Sequence, residues 1–148
     1  MKKFDVIIIG SGLAGIWTAL NLNKSLKVLV LTKSNVWGCN SFYAQGGVTV
    51  ARDENDIKSH IEDTLKAGVY HNKKEMVELL SRKSLEVIDD IEGLGFRLDR
   101  DKEGNILFTK EGAHSFNRIV HAGGDATGRE IHKFVFEKDK SFFLDEAR

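Results

Sequence analysis

The sequence predicts an α/β fold with a parallel sheet, on the strength of two apolar runs and the segment joining them. Residues 4–9, interrupted only by Asp5, form an apolar, β-branched run ending at Gly10; residues 13–22 place Ile16, Ala19, Leu20 and Leu22 at helical spacing; residues 27–32 form a second β-branched run. Strand, helix and strand in that order close as a right-handed crossover with the two strands parallel. The first run has no polar alternation, the pattern of a strand buried on both faces.

From Lys33 to Gly47 the chain is rich in Ser, Asn and Gly without a helical or alternating period. It reads as a loop beyond the carboxyl end of the second strand, where α/β sheets place their ligands. Residues 56–67 and 73–94 read as helices. Ile57, Ile61 and Leu65 share one face of the first, and Met76, Leu80, Val87, Ile91 and Leu94 run along the second; both stripes are expected to face the core. Gly68 and Gly95 are the expected terminators. Residues 96–98 and 106–108 flank Asp101-Lys102-Glu103-Gly104-Asn105 in the manner of a small hairpin. After the Gly123-Gly124 turn, Thr127 with Glu130 three residues on is a capping-box signature that starts a helix toward Phe136.

A chain of 148 residues with 41% hydrophobic content suffices for one modest domain, which excludes a stand-alone multidomain enzyme. Lys plus Arg and Asp plus Glu both total 22, so no net field favours nucleic acid or an anionic membrane as partner. The distribution is uneven: residues 6–52 carry four positive charges and no negative one, whereas residues from Asp53 onward carry 16 basic against 21 acidic side chains. An acid-free segment of that length suits a polyanionic ligand. Cys39 is the sole cysteine, and the apolar run after Lys2 and Lys3 is too short for a secretory signal, so a reducing cytoplasm is the expected compartment. No stretch approaches the roughly 20 apolar residues of a membrane span. Two full-length strands are too few for a doubly wound sheet, so further chain or a partner subunit is expected to complete it.

The chemistry concentrates in three places. Gly10-Ser11-Gly12-Leu13-Ala14-Gly15 matches G-x-G-x-x-G directly between strand and helix. Gly10 permits the tight turn, Gly12 removes a side chain where a pyrophosphate must approach, and Gly15 lets helix and strand pack closely, with the helix amino terminus facing the phosphates. An ordinary NAD site places an acid about 20 residues after the motif. Here that region reads Leu31-Thr32-Lys33-Ser34 and no carboxylate follows until Asp53, which disfavours NAD. Lys33 suits either the ribose phosphate of NADP or another dinucleotide such as FAD. Asn40-Ser41-Phe42-Tyr43-Ala44-Gln45-Gly46-Gly47 combines amides, hydroxyls, an aromatic pair and two glycines, a composition able to wrap a flat heterocycle. N–H groups around Gly46 and Gly47 could bond flavin carbonyl and ring nitrogen positions.

The third place runs from Lys110 to Arg118 and on to His121 and Asp125. Arg118 could pair bidentately with a carboxylate substrate while Glu111 accepts from an ammonium group, a combination suited to an amino diacid. His60, His71, His114, His121 and His132 show no HExxH or paired spacing, so no metal is expected. Cys39 is expected to pack rather than react.

The glycine motif, Leu31-Thr32-Lys33, residues 41–47, and Arg118-Ile119-Val120-His121-Ala122 followed by Asp125-Ala126-Thr127-Gly128-Arg129-Glu130 together resemble the succinate dehydrogenase and fumarate reductase flavoprotein family. The resemblance covers nearly all of the chain and implies the amino-terminal portion of a protein several times longer. It implies an incomplete Rossmann-like FAD-binding domain: a βαβ unit over 4–32, a flavin loop over 33–51, a helical segment over 56–95, a hairpin and substrate-side loop over 96–125, and a helix over 126–138. The implied chemistry is oxidation of L-aspartate to iminoaspartate by noncovalent FAD, with oxygen or fumarate as acceptor, as the first step of quinolinate and NAD biosynthesis. By motif, Ser11 to Ala14, Lys33 and Asn40 to Gly47 would contact FAD, and Glu111 would orient the substrate amino group.

Two positions separate branches of the family. Its respiratory members typically hold, at the position aligned with Asn40, the histidine that bonds covalently to flavin, whereas an amide has no comparable nucleophilic nitrogen. They also lack an acid where Glu111 stands. Ala113, Asn117 and the longer Gly123-Gly124 turn depart from the common pattern, and the family's catalytic arginine and substrate-binding histidines lie in later segments. Two alternatives stand beside this reading: a noncovalent-FAD fumarate reductase or succinate dehydrogenase-like flavoprotein, and a noncatalytic, truncated dinucleotide-binding module.

Overall fold

A computed structural model describes residues 3–138 and 143–146. The chain divides into two compact units, Met1–Gln45 with Ala126–Arg148, and Gly46–Asp125.

In the first unit, β1 (Val6–Ile9) pairs in parallel with β2 (Val28–Thr32), Val6 opposite Val28 and Ile9 opposite Leu31. The crossover between them is α1 (Leu13–Asn21), which turns Ile16 and Ala19 inward. Ala19, Val28 and Val30 form a core against which Val6, Ile8, Leu22 and Leu26 pack. Such burial of aliphatic side chains is worth about 1.5–3 kcal/mol for each one fully removed from water. Gly15 sets how close α1 lies, since a Cβ there would stand 2.2 Å from the Gly10 carbonyl oxygen. Chain return is provided by α4 (Thr127–Lys138), packed on α1, and by β6 (Phe143–Glu146), parallel to β2 on the edge opposite β1.

Two expectations are corrected here. The strand β6 has no counterpart in the sequence reading, because Phe142-Phe143-Leu144 is too short an apolar run, with acids directly after it, to register as a strand pattern. Burial on both faces holds for β2 but not for β1, where Ile7 and Ile9 are 60% and 89% exposed. α1 packs on β1, while Ile7 and Ile9 lie on a face that stays largely open.

In the second unit, β3 (Val48–Thr49), β4 (Phe108–Thr109) and β5 (Ile119–Val120) form a small antiparallel sheet in the order β3-β5-β4. Two helices, α2 (Ile57–Ala67) and α3 (Lys74–Gly93), pack on each other. α2 ends on Gly68. α3 ends in a left-handed Gly95, φ +96°, with Gly95 N–H donating to Glu92 O at 2.8 Å and Phe96 N–H to Ile91 O at 3.1 Å, a Schellman closure.

The face α3 buries differs from the expected one. Met76, Leu80, Val87 and Leu94 are exposed, and Val77, Ser81, Ser84 and Ile91 face inward. Small hydroxyl residues win because they permit close approach and satisfy neighbouring backbone: Ser84 Oγ accepts the Ala51 N–H at 2.8 Å and donates to Ser81 O at 2.7 Å. The expected hairpin is present as a bridge between Arg100 and Ile106, with Asp101 N–H bonded to Asn105 O at 2.9 Å, but Phe108 leaves it to pair with Val120. Among the described residues no helix is long and apolar enough to cross a membrane.

Candidate functional site

The glycine loop is held open by its own backbone. Gly10 adopts φ +107°, a conformation that glycine alone takes at little cost, and donates its N–H to Leu31 O at 2.7 Å, which anchors the turn on β2. Gly12 stands at the N-cap of α1 and supplies no side-chain cap. A Cβ at Gly12 would find its nearest neighbour, Ser41 Oγ, at 3.4 Å, so the fold tolerates a side chain there and the missing one leaves room for a ligand. Of the first amides of α1, Leu13 N–H is taken by Ser41 Oγ at 3.1 Å. Unfilled amides at a helix amino terminus, with the helix dipole behind them, favour an anion.

Ser11, Leu13 and Ala14 complete this loop. The Ser11 hydroxyl is buried, 3.0 Å from Thr32 Oγ1 and 3.2 Å from Val36 O, so it ties the loop to the end of β2 instead of facing a ligand. Lys33 follows Thr32 and is exposed. Asn40, Tyr43, Ala44 and Gln45 are exposed as well, while Ser41 and Phe42 are half-buried. Phe42 stacks near Trp37 and edge-on to Tyr43, with centroids at 5.3 and 5.4 Å. The first turn of α4 pins this segment: Gly128 N–H donates to Ala44 O at 3.0 Å, and a Cβ at Gly128 would stand 2.2 Å from Ser41 O. Gly128 is thus required for the loop, a role its place in the Thr127-Gly128-Arg129-Glu130 helix start did not reveal.

Gly46 and Gly47 belong to the second unit. Gly47, φ +78°, lies against β5, where a Cβ would come within 2.6 Å of Ile119 Cγ2 and 2.7 Å of Val120 O; Gly46 has open space around its α-carbon. Glu111 is exposed in a turn in which Ala113 takes φ +68°.

Arg118 is fully buried, and its guanidinium faces inward. Nη2 donates to Asp56 Oδ1 at 2.7 Å and to Ser59 Oγ at 3.0 Å, Nε to Asp56 Oδ2 at 3.3 Å, and Nη1 to Asp63. Asp63 also accepts the Ser115 N–H and hydroxyl, each at 2.7 Å, and Arg52 donates to Asp56 from its N–H at 3.2 Å. Burial by itself would raise both carboxyls. Hydrogen bonds from Arg118 and the Arg52 N–H at Asp56, and from Ser115 and Arg118 at Asp63, outweigh it and hold both below the ordinary carboxylate range. His60, buried beside Arg118, is pushed below the usual imidazole value first by burial and then by the arginine's charge.

The expectation that Arg118 binds a substrate carboxylate is therefore corrected: Asp56 already occupies its bidentate fork. Asp56, Ser59 and Asp63 were missed because the apolar stripe of α2 drew the reading. Their spacing, i, i+3 and i+7, puts all three on one helix face, a signal that a buried cation lies opposite. Among the described residues no cluster of His, Cys, Asp and Glu could hold a metal ion.

A model of the FAD binding domain family matches residues 5–142. The chain belongs to that family. FAD is accordingly its cofactor, and the glycine loop fits such a group: open amides at the start of α1 and the absent Cβ at Gly12 are features that would suit its diphosphate. This FAD-binding domain is 45% identical over 141 residues to L-aspartate oxidase of Clostridium perfringens, covering 95% of this chain and 32% of that protein. Among solved structures it is similar to a Mycobacterium smegmatis Sdh1 complex, with TM-score 0.84 at 28% identity over 97% of this chain and 27% of that one. It also shares its fold with E. coli quinol fumarate reductase, with TM-score 0.84 at 21% identity over 95% of this chain and 25% of that one. The resemblance drawn from the motifs holds. The chain spans 21% to 32% of the length of the L-aspartate oxidases it matches.

Proposed function

We propose that the protein containing this FAD-binding domain oxidises L-aspartate to iminoaspartate, with oxygen or fumarate as acceptor, and so opens the route through quinolinate to NAD. The observation that carries this reading is the 45% identity to an L-aspartate oxidase over 95% of the chain, joined to an amide at Asn40 and an acid at Glu111. FAD, when bound, supplies the acceptor for the hydride that leaves the substrate α-carbon.

The chain's own residues divide the work. Gly10, Ser11, Gly12, Leu13, Ala14 and Gly15 shape the diphosphate end of a Rossmann-like βαβ unit. Lys33, exposed at the end of β2, adds positive charge near the polyanion. Residues 40–47 present amide, hydroxyl and backbone groups toward the ring system. Asn40 cannot attack the flavin, because an amide nitrogen has no available lone pair, so the cofactor stays noncovalent. Glu111, an exposed carboxylate, accepts from the substrate ammonium and orients the amino group. The substrate carboxylates are left to residues elsewhere in the protein, Arg118 being committed to Asp56 and Asp63. A cytoplasmic location and dependence on the remainder of the polypeptide or a partner subunit belong to the same reading.

Anaerobic mixing of the full-length, FAD-loaded protein with L-aspartate or with succinate tests it. Bleaching of the flavin band by aspartate and not by succinate is expected. The reverse pattern overturns the proposal in favour of a succinate-oxidising flavoprotein. Acid precipitation should release all yellow colour into the supernatant. Glu111→Gln should lower kcat/KM for aspartate about 10- to 100-fold, the worth of one charge-assisted hydrogen bond, with FAD affinity unchanged.

A further inference from the structure

His132 is wholly buried on α4, and nothing in the chemistry above uses it. Its Nε2 lies 2.7 Å from the carbonyl oxygen of Ser11 and 3.4 Å from Cys39 Sγ. A carbonyl can only accept, so Nε2 carries a proton and donates it to Ser11 O, while Nδ1 is buried without a partner among the described residues. Trp37 and Phe42 pack edge-on to the imidazole at 5.5 and 5.8 Å and hold its plane.

Ser11 is the residue before Gly12, and the peptide joining them is planar and trans. Its C=O and N–H therefore point in opposite directions. With the Ser11 carbonyl drawn toward α4, the Gly12 N–H is turned away from α4, at the amino terminus of α1, and no described residue accepts it. One turn earlier on the same face of α4, Gly128 N–H holds Ala44 O at 3.0 Å. α4 thus grips the glycine loop through His132 and the following loop through Gly128, and Ser41 Oγ closes the two together by accepting Leu13 N–H.

We propose that His132 is a positioning residue for FAD: by donating to the Ser11 carbonyl it fixes the Ser11–Gly12 peptide so that the Gly12 N–H is presented to the diphosphate. The inference rests on FAD lying over this loop. Without the donor, a buried carbonyl loses its partner and the peptide is free to rotate, which disorders the amide that meets the anion.

The test compares His132→Phe, a ring without a donor, with His132→Gln, whose amide nitrogen can reach as Nε2 does. Both are made in the full-length protein stripped of FAD, and FAD affinity is read from quenching of flavin fluorescence. The phenylalanine variant should bind FAD about tenfold more weakly, and the glutamine variant within about threefold of wild type. Equal binding by wild type and the phenylalanine variant overturns the proposal, as does an equal loss in both variants, which would mark a packing role. A wild-type protein that takes up no FAD removes the underlying reading instead. Should the phenylalanine variant not fold, histidine-selective 15N spectra of the wild type decide: Nε2 protonated with and without FAD is expected, and an Nδ1-protonated ring overturns it.

Discussion

The glycine loop on α1 and the Arg118 cluster on α2 handle polar groups in opposite ways. The first contains hardly a charge, yet it leaves amides at a helix amino terminus open and keeps a Cβ position vacant. The second gathers an arginine and two aspartates, and every one is bonded to another residue of the same unit. A polar-rich stretch is thus no guide to a ligand site. What counts is which donors remain without an internal partner once the chain has folded, because only those gain from a ligand.

That contrast can be broken most forcefully at Arg118. Arg118→Met removes the guanidinium bonded to Asp56 and Asp63 and leaves buried Asp56 with only its longer contact to Arg52; removal of one partner from such a buried pair costs about 3–5 kcal/mol. Urea unfolding of the variant should show that loss, or no folded protein at all. Unchanged stability with a raised KM for aspartate would instead return Arg118 to the substrate.

A smaller effect separates fold from ligand inside the glycine loop. Gly15→Ala drives a Cβ to 2.2 Å from the Gly10 carbonyl and should destabilise the FAD-free protein by about 1–3 kcal/mol. Gly12→Ala has room for its methyl and should unfold like wild type, while binding FAD at least about tenfold more weakly. Equal FAD affinity in Gly12→Ala and wild type would mean that the diphosphate does not approach this residue.

The mildest expected effect is the response to pH. His60 has a folded pKa below its ordinary 6.5, so the unfolded chain binds the proton first and stability falls as pH drops below about that value. Asp56 and Asp63, both held below 3.8, contribute stability that is complete above that value and is lost as pH falls through their folded pKa values. Urea midpoints measured from pH 8 to 3 should therefore decline in two stages. His60→Gln should abolish the upper stage and leave the lower one. A midpoint that rises on acidification would contradict the buried ion cluster.

Much of the first unit, and the ends of the two helices in the second, were legible because those decisions are local. The glycine loop, the crossover, the stop of α2 at Gly68 and of α3 before Gly95, and the start of α4 at Thr127 follow from hydrophobic period and from conformations that few residues besides glycine adopt. The misses all concern faces and partners. An apolar stripe on α3 pointed to the wrong side, since Met76 and Leu80 advertise burial more loudly than Ser81 and Ser84, which are the residues small enough for close packing. β6 escaped notice because parallel pairing with β2, rather than its own composition, makes it a strand.

By itself, then, the amino-acid order determined the strand–helix–strand beginning, the glycine loop and the absence of an early acid that would suit NAD, since each rests on backbone freedom or charge within a few neighbouring residues. Tertiary structure alone decided that Arg118 answers to Asp56 and Asp63, that α4 grips Ser11 through His132, and that Ile7 and Ile9 stay exposed. Those outcomes depend on residues 55 to 121 positions apart in the chain meeting in space, or failing to, and no local period or propensity encodes such meetings.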